Sequence, residues 1–180
     1  ATTNIGSLTS AFRSRFGATY KLDFYENEDI EKIVKRSSRI LNVKSDEAGI
    51  NLIASRSRQT PRVANRLLKR VRDYAQVKAD GIVNKNIAEK ALAMLAVDEL
   101  GLESVDRKIL ETIIKKFSGG PVGIQALAAS TGEEENTILE VYEPYLLQLG
   151  FINRTPRGRE ATLSAYNHIG VKAPKTGRMI

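Results

Sequence analysis

The 180-residue sequence has no cysteine and a single histidine, His168. Disulfides, thiolate nucleophiles and cysteine-based zinc sites are therefore excluded, the lone histidine leaves no metal site, and a reducing, intracellular compartment is favoured. A Ser-His-Asp arrangement has nothing to support it. No apolar run approaches the roughly 20 residues that span a bilayer, and no signal peptide is recognisable. A G-x-x-x-x-G-K-[ST] phosphate loop is absent too, and Gly119-Gly120-Pro121 reads as a helix stop, not a phosphate cradle. The chain opens on Ala1-Thr2-Thr3 without an initiator methionine. Its first apolar residues, Ile5 to Phe24, have too few neighbours before them to make a domain, so this stretch reads as the end of something longer.

What the chain does have is basic charge: 28 Lys+Arg against 21 Asp+Glu, a net +7 and a pI near 9.7. That balance favours a polyanionic partner such as nucleic acid. Residues 1–100 hold 18 basic and 12 acidic groups, and residues 101–180 hold 10 and 9, so the second half is basic only locally. The local concentration is Arg154-Thr155-Pro156-Arg157-Gly158-Arg159, three guanidinium groups in six residues with no acid. Phe151-Ile152-Asn153 and Glu160-Ala161-Thr162-Leu163 flank it as two short strands. A basic hairpin tip suits a phosphate backbone; a solvated turn is the plainer alternative.

Periodicity predicts a short helix at Leu8 to Arg13, a strand at Ala18 to Phe24, and then helices from Glu26 to about Leu41 and from Asp46 to about Ser57. Thr60 and Pro61 suit the N-cap and first position of another helix, whose apolar face carries Val63, Ala64, Leu67, Leu68, Val71, Tyr74 and Ala75. Arg62 falls in its first turn, where the helix dipole already disfavours a cation unless an anion sits nearby or the side chain reaches into solvent. A fourth helix spans Asn86 to Ala96, completing a small helical domain, and Val97 to Leu102 reads as a linker.

Beyond it come helices at Asp106 to Phe117, Val122 to Ala129 and Glu133 to Leu149, then the hairpin: the order of a winged helix-turn-helix. The third helix, which would enter the major groove, carries Glu133, Glu134, Glu135, Glu140 and Glu143 and no basic residue. DNA phosphates would repel it, and Pro144 should bend it. Glu133 to Glu135 are otherwise explained as acids at a helix N-terminus. Any DNA contact then falls to the wing, and backbone contact of that kind is indifferent to sequence. The tail from Val171 to Ile180, with Lys172, Lys175 and Arg178, is expected to be flexible. A non-enzymatic winged-helix regulator, or an adaptor using the acidic helix, would satisfy the same pattern.

Four runs are more specific: Gln59-Thr60-Pro61-Arg62-Val63-Ala64-Asn65-Arg66-Leu67-Leu68, Gly119-Gly120-Pro121-Val122-Gly123, Val141-Tyr142-Glu143-Pro144-Tyr145-Leu146 and Arg154-Thr155-Pro156-Arg157-Gly158-Arg159. They closely resemble the RuvB family, bacterial AAA+ ATPases that drive Holliday-junction branch migration, and the resemblance is collinear over residues 1 to about 170, the C-terminal part of that family's length. It implies a mainly α chain: residues 1–24 the end of the large α/β ATPase domain, 25–100 the small helical AAA+ lid, 101–170 a winged-helix DNA-binding domain, and 171–180 a basic tail.

The resemblance also implies site residues. Thr3 matches the first sensor of the γ-phosphate, Arg15 the arginine finger given to a neighbouring subunit, Tyr25 a nucleotide contact and Arg62 the second sensor. Arg154, Arg157 and Arg159 would hold DNA. The implied setting is a cytoplasmic homo-hexamer using ATP/ADP with Mg²⁺ on double-stranded DNA at Holliday junctions, working with RuvA and the resolvase RuvC in recombination and repair. Asn4 stands where the family has Arg, Ala11 where it has Pro, Phe12 where it has Leu, and Gln59 where it has Gly. The Walker motifs and the RuvA-docking hairpin are not in these 180 residues, so the chain alone is expected to bind DNA without hydrolysing ATP or migrating junctions.

Overall fold

In the computed structural model, which describes residues 6, 8–20 and 22–174, the apolar positions sort into two separate cores. Each belongs to a contiguous stretch of chain.

The first core is built by α2 (Asn27–Ile40), α3 (Glu47–Ser55), α4 (Pro61–Lys78) and α5 (Lys85–Met94), after a single short turn of helix, α1 (Ser10–Arg13). Ile30 and Val34 of α2, Ile53 of α3, Leu68 and Val71 of α4 and Leu92 of α5 are fully buried, as the helical spacing requires. Asp46 and Asn84 cap α3 and α5 by accepting from Gly49 N at 2.7 Å and Ile87 N at 3.0 Å. The residues just before these caps, β1 (Lys44–Ser45) and β2 (Ile82–Val83), pair in parallel, which fixes the starts of α3 and α5 side by side.

The second core belongs to α6 (Ser104–Glu111), continued by a π-helical turn Thr112–Lys116, to α7 (Ile124–Thr131), and to a long segment in three pieces. That segment runs through α8 (Glu135–Thr137), a π-helical turn Ile138–Tyr142 and α9 (Glu143–Gln148). Pro144 explains the division, because it lacks an N–H for the Glu140 carbonyl and its ring would clash there; wider π winding relieves both. The predicted bend is thus an expanded turn. Leu102, Ile109, Leu110, Leu127, Ile138 and Leu146 fill this core.

A hairpin follows: β3 (Ile152–Thr155) pairs antiparallel with β4 (Gly158–Ala161), Arg154 opposite Arg159. Val122 pairs with Arg159 on the other edge of β4, exchanging bonds of 3.0 and 2.9 Å. The arrangement is a winged helix.

Several expectations need correction. Ala18–Phe24 forms no strand among its described residues: Tyr20 and Leu22 are 84% and 88% exposed and meet no sheet to pair with. Alternation marks a strand only when a neighbour completes its ladder. Glu160–Leu163 is not all strand, because β4 begins at Gly158 and ends at Ala161, where Thr162 starts a further helix, α10 (Leu163–Ile169), closed by Gly170 in the left-handed region. Val171 and Ala173 pack on the second core, so the start of the tail is anchored; Lys175 and Arg178 lie outside the described residues. The stretch from Val97 to Leu102 joins the cores as an ordered joint. Val97 is buried in the first core and Leu102 in the second, and Asp98 accepts from Leu100 N and Leu102 N at 3.0 and 2.8 Å. No described helix is long and apolar enough to cross a membrane.

Candidate nucleotide pocket and nucleic-acid interface

The start of α4 is electrostatically unusual. Thr60 occupies the N-cap position, but its hydroxyl donates to Ser57 O at 3.2 Å and does not cap the helix, and the first turn holds no acid. An 18-residue helix therefore presents its first amides without a side-chain partner. Arg62 stands exposed in that turn with no hydrogen bond or ion pair among the described residues. Uncapped amides beside an unpaired guanidinium are the chemistry of an anion site.

An open depression of about 210 Å³ lies alongside, lined by Leu22, Asp23, Phe24, Tyr25, Gln59, Thr60 and Pro61. Tyr25 N donates to Gln59 O at 3.2 Å, bringing this segment against the entry to α4. Tyr25 and the entry to α4, one residue before Arg62, are thus brought together, with an apolar wall of the kind that suits a base and helix amides of the kind that suit a phosphate. Arg15 lies apart in an exposed turn after α1, beside the edge-to-face pair Phe12 and Phe16, centroids 5.3 Å apart. Thr3 and Asn4 lie outside the described residues.

At the other end, the hairpin arginines divide. Arg157 at the tip is 77% exposed at its side chain, with only Glu160 near, at 4.0 Å. Arg154 is 64% exposed, 3.7 Å from Glu143 Oε1. Arg159 is different: its side chain is 8% exposed, and Nε and Nη2 both reach Glu143 Oε2 at 2.9 Å. It is not an open phosphate grip, because a buried carboxylate already holds it. The same pair changes the reading of the acid-rich segment: Glu143 is buried and neutralised, while Glu134, Glu135 and Glu140 face solvent.

Sequence reasoning missed Glu143, whose only signal was an acid directly before Pro144. It also missed Arg58, which is 9% exposed and joins the two cores. Its Nε donates to Gly101 O at 2.9 Å, its Nη2 donates to Asp106, and its guanidinium lies 5.1 Å from the Tyr145 ring centroid.

Two family descriptions match the chain: the RuvB AAA lid domain over residues 25–98 and the RuvB C-terminal winged helix domain over residues 99–170. The Holliday junction branch migration complex subunit RuvB of Dehalococcoides mccartyi (strain CBDB1) is 58% identical over 171 residues, covering 95% of this chain and 49% of that protein. The chain thus spans about half the length of this curated relative. Among solved structures, the Thermotoga maritima RuvB Holliday junction branch migration motor superposes with a TM-score of 0.88 at 51% identity, covering 94% of this chain and 57% of that one. A single-substitution variant of the Thermotoga protein gives 0.89 at 50% identity, covering 94% and 56%.

Proposed function

This chain belongs to the RuvB family through both of its domains, and from that premise we propose that it is the lid and DNA-gripping part of an ATP-dependent Holliday-junction branch-migration motor. The observation that carries the reading is the division of labour on the hairpin. Arg154 and Arg157 face solvent, while Arg159 is held inside by Glu143. Two exposed, weakly paired guanidinium groups on a stiff wing, behind an acid-faced helix, suit the phosphate backbone and not base edges. A motor that moves along any sequence needs that indifference.

In this reading Tyr25 and the wall at Gln59 to Pro61 hold the base side of ATP or ADP, and the α4 amides with Arg62 meet its phosphates. Bound nucleotide with Mg²⁺ supplies the hydrolytic free energy. This chain's residues orient that nucleotide and exclude water from one side of it. Arg15 serves the neighbouring subunit's nucleotide, where a guanidinium stabilises transition-state charge, and Thr3 senses the γ-phosphate. Residues 1–24 are the end of a large ATPase domain, whose surface would cover the exposed Phe12, Tyr20 and Leu22. Residues 25–100 and 101–170 are lid and winged helix. The assembly is a cytoplasmic hexamer acting with RuvA and RuvC on junction DNA.

Fluorescence anisotropy with duplexes of unrelated sequence tests the reading. Affinities agree within a few-fold, fall with salt, and drop in Arg154→Ala/Arg157→Ala. A strong preference for one duplex would instead identify a sequence-reading regulator.

A further inference from the structure

Arg58 stands four residues before Arg62, at the turn that enters α4. On the side of the second core its guanidinium is engaged by Gly101 O at 2.9 Å, by Asp106, by Glu103 Oε1 at 3.8 Å and by the Tyr145 face. Each of those groups is fixed in turn. Asp106 is fully buried and accepts from Glu103 N at 2.7 Å, and Tyr145 Oη donates to Leu100 O at 2.6 Å. Gly101, at φ +77°, approaches so closely that a Cβ there would lie 2.5 Å from Arg56 O. The contact is a packed joint, and Arg58 is its centre.

On the pocket side, the next residue continues the clamp. Gln59 O accepts from Tyr25 N, and its side chain accepts from Gln148 Nε2 on α9 at 2.5 Å. Arg58 and Gln59 have φ of +54° and +53°. Non-glycine residues keep such values where surrounding contacts hold them. One short turn is therefore gripped by the winged helix through two consecutive side chains, while its backbone builds the wall beside Tyr25 and sets the origin of α4.

We infer that Arg58 is a positioning residue: seated between Asp106 and Tyr145, it fixes the 57–60 turn, and with it the aim of Arg62 and Tyr25, so that nucleotide pocket and winged helix move as one body. The inference rests on the reading of Arg62 as an anion contact. Motion imposed at the nucleotide then reaches the DNA grip without loss in a flexible linker, and strain on the grip reaches the pocket by the same route.

Cysteines introduced at Gln76 on α4 and Ala129 on α7, both exposed, are the only labelling sites in a chain without native cysteine. Electron–electron double resonance between spin labels there gives one narrow distance distribution with Arg58 present. It broadens in Arg58→Met at unchanged circular dichroism, and stays narrow in Arg62→Ala. Inorganic pyrophosphate, followed through the amide shifts of Thr60 and of residues 62–64, then reads the pocket. Arg58→Met weakens its binding about fivefold, Arg58→Lys restores part of that loss, and Arg62→Ala abolishes the response. An unchanged distribution in Arg58→Met overturns the joint, and unchanged pyrophosphate binding in that variant overturns the positioning of Arg62. Pyrophosphate binding that survives Arg62→Ala, or is undetectable throughout, overturns the nucleotide reading instead and leaves the distances to decide the joint.

Discussion

Arg159 and Glu143 share one buried ion pair, in which Nε and Nη2 of the arginine both reach Oε2 of the glutamate at 2.9 Å. The pair ties the returning strand of the hairpin to the first turn of α9. Removing Glu143 leaves the Arg159 guanidinium uncompensated in the protein interior, and removing Arg159 leaves the buried Glu143 only the more distant Arg154, at 3.7 Å. Arg159→Ala and Glu143→Ala are each expected to cost about 3–5 kcal/mol of stability, read as a fall in the urea midpoint.

Arg154 and Arg157 behave in the opposite way. Both are exposed and weakly paired, so Arg157→Ala changes the unfolding free energy read from urea denaturation by no more than about 0.5 kcal/mol. The same substitution lowers affinity for all duplexes alike and reduces the slope of log K against log salt by about 1. A loss confined to one duplex sequence would contradict a backbone role for the tip.

Burial pushes the Asp106 carboxyl above the usual aspartate range, and Arg58 and the Glu103 amide pull it back only in part. A raised folded-state value means that the folded chain takes up this proton at a higher pH than the unfolded chain does. The stabilising contribution is therefore complete below the unfolded value and is lost as pH rises through the folded one. Carbon-13 titration of Asp106 should give a midpoint above about 3.9. A lower midpoint would mean that Arg58 outweighs burial.

Gly158 opens β4 at φ +137°, where a Cβ would lie 2.2 Å from Val122 O. Gly158→Ala must break the bridge between Val122 and Arg159 or move the hairpin. Thermal denaturation should show a loss of at least about 1 kcal/mol, and the amide of Arg159 should lose its protection from hydrogen exchange.

The helical cores were legible because burial repeats along a single helix: Leu67, Leu68 and Val71 identify a face whatever packs on it. Asp46 and Asn84 acted as caps through contacts only three residues long. Thr60 satisfied the same local rule, yet its hydroxyl turned to Ser57, a choice made by the turn that Arg58 anchors. The segment Ala18–Phe24 misled for the complementary reason: alternation was present but a pairing partner was not. Helix α10 was hidden by the strand before it, although Thr162 and Gly170 bracket it as cap and stop. For the site, Arg62 and the hairpin announced themselves by charge in the wrong place for a helix start or a plain turn. Arg58, Asp106 and Glu143 gave no such signal, because a buried ion pair joins residues 48 or 16 positions apart and each member alone looks like surface.

β4 is stitched along both edges. β3 lies on one side, and on the other Val122 and Arg159 exchange two bonds while Ala161 N donates to Gly119 O at 2.8 Å. Tension applied at the hairpin tip and directed along the strands loads both rows together in shear, where a free hairpin would peel open one bond at a time. The wing therefore resists pulling as a stiff beam rooted in the body of its domain, and it yields only when its whole length slips.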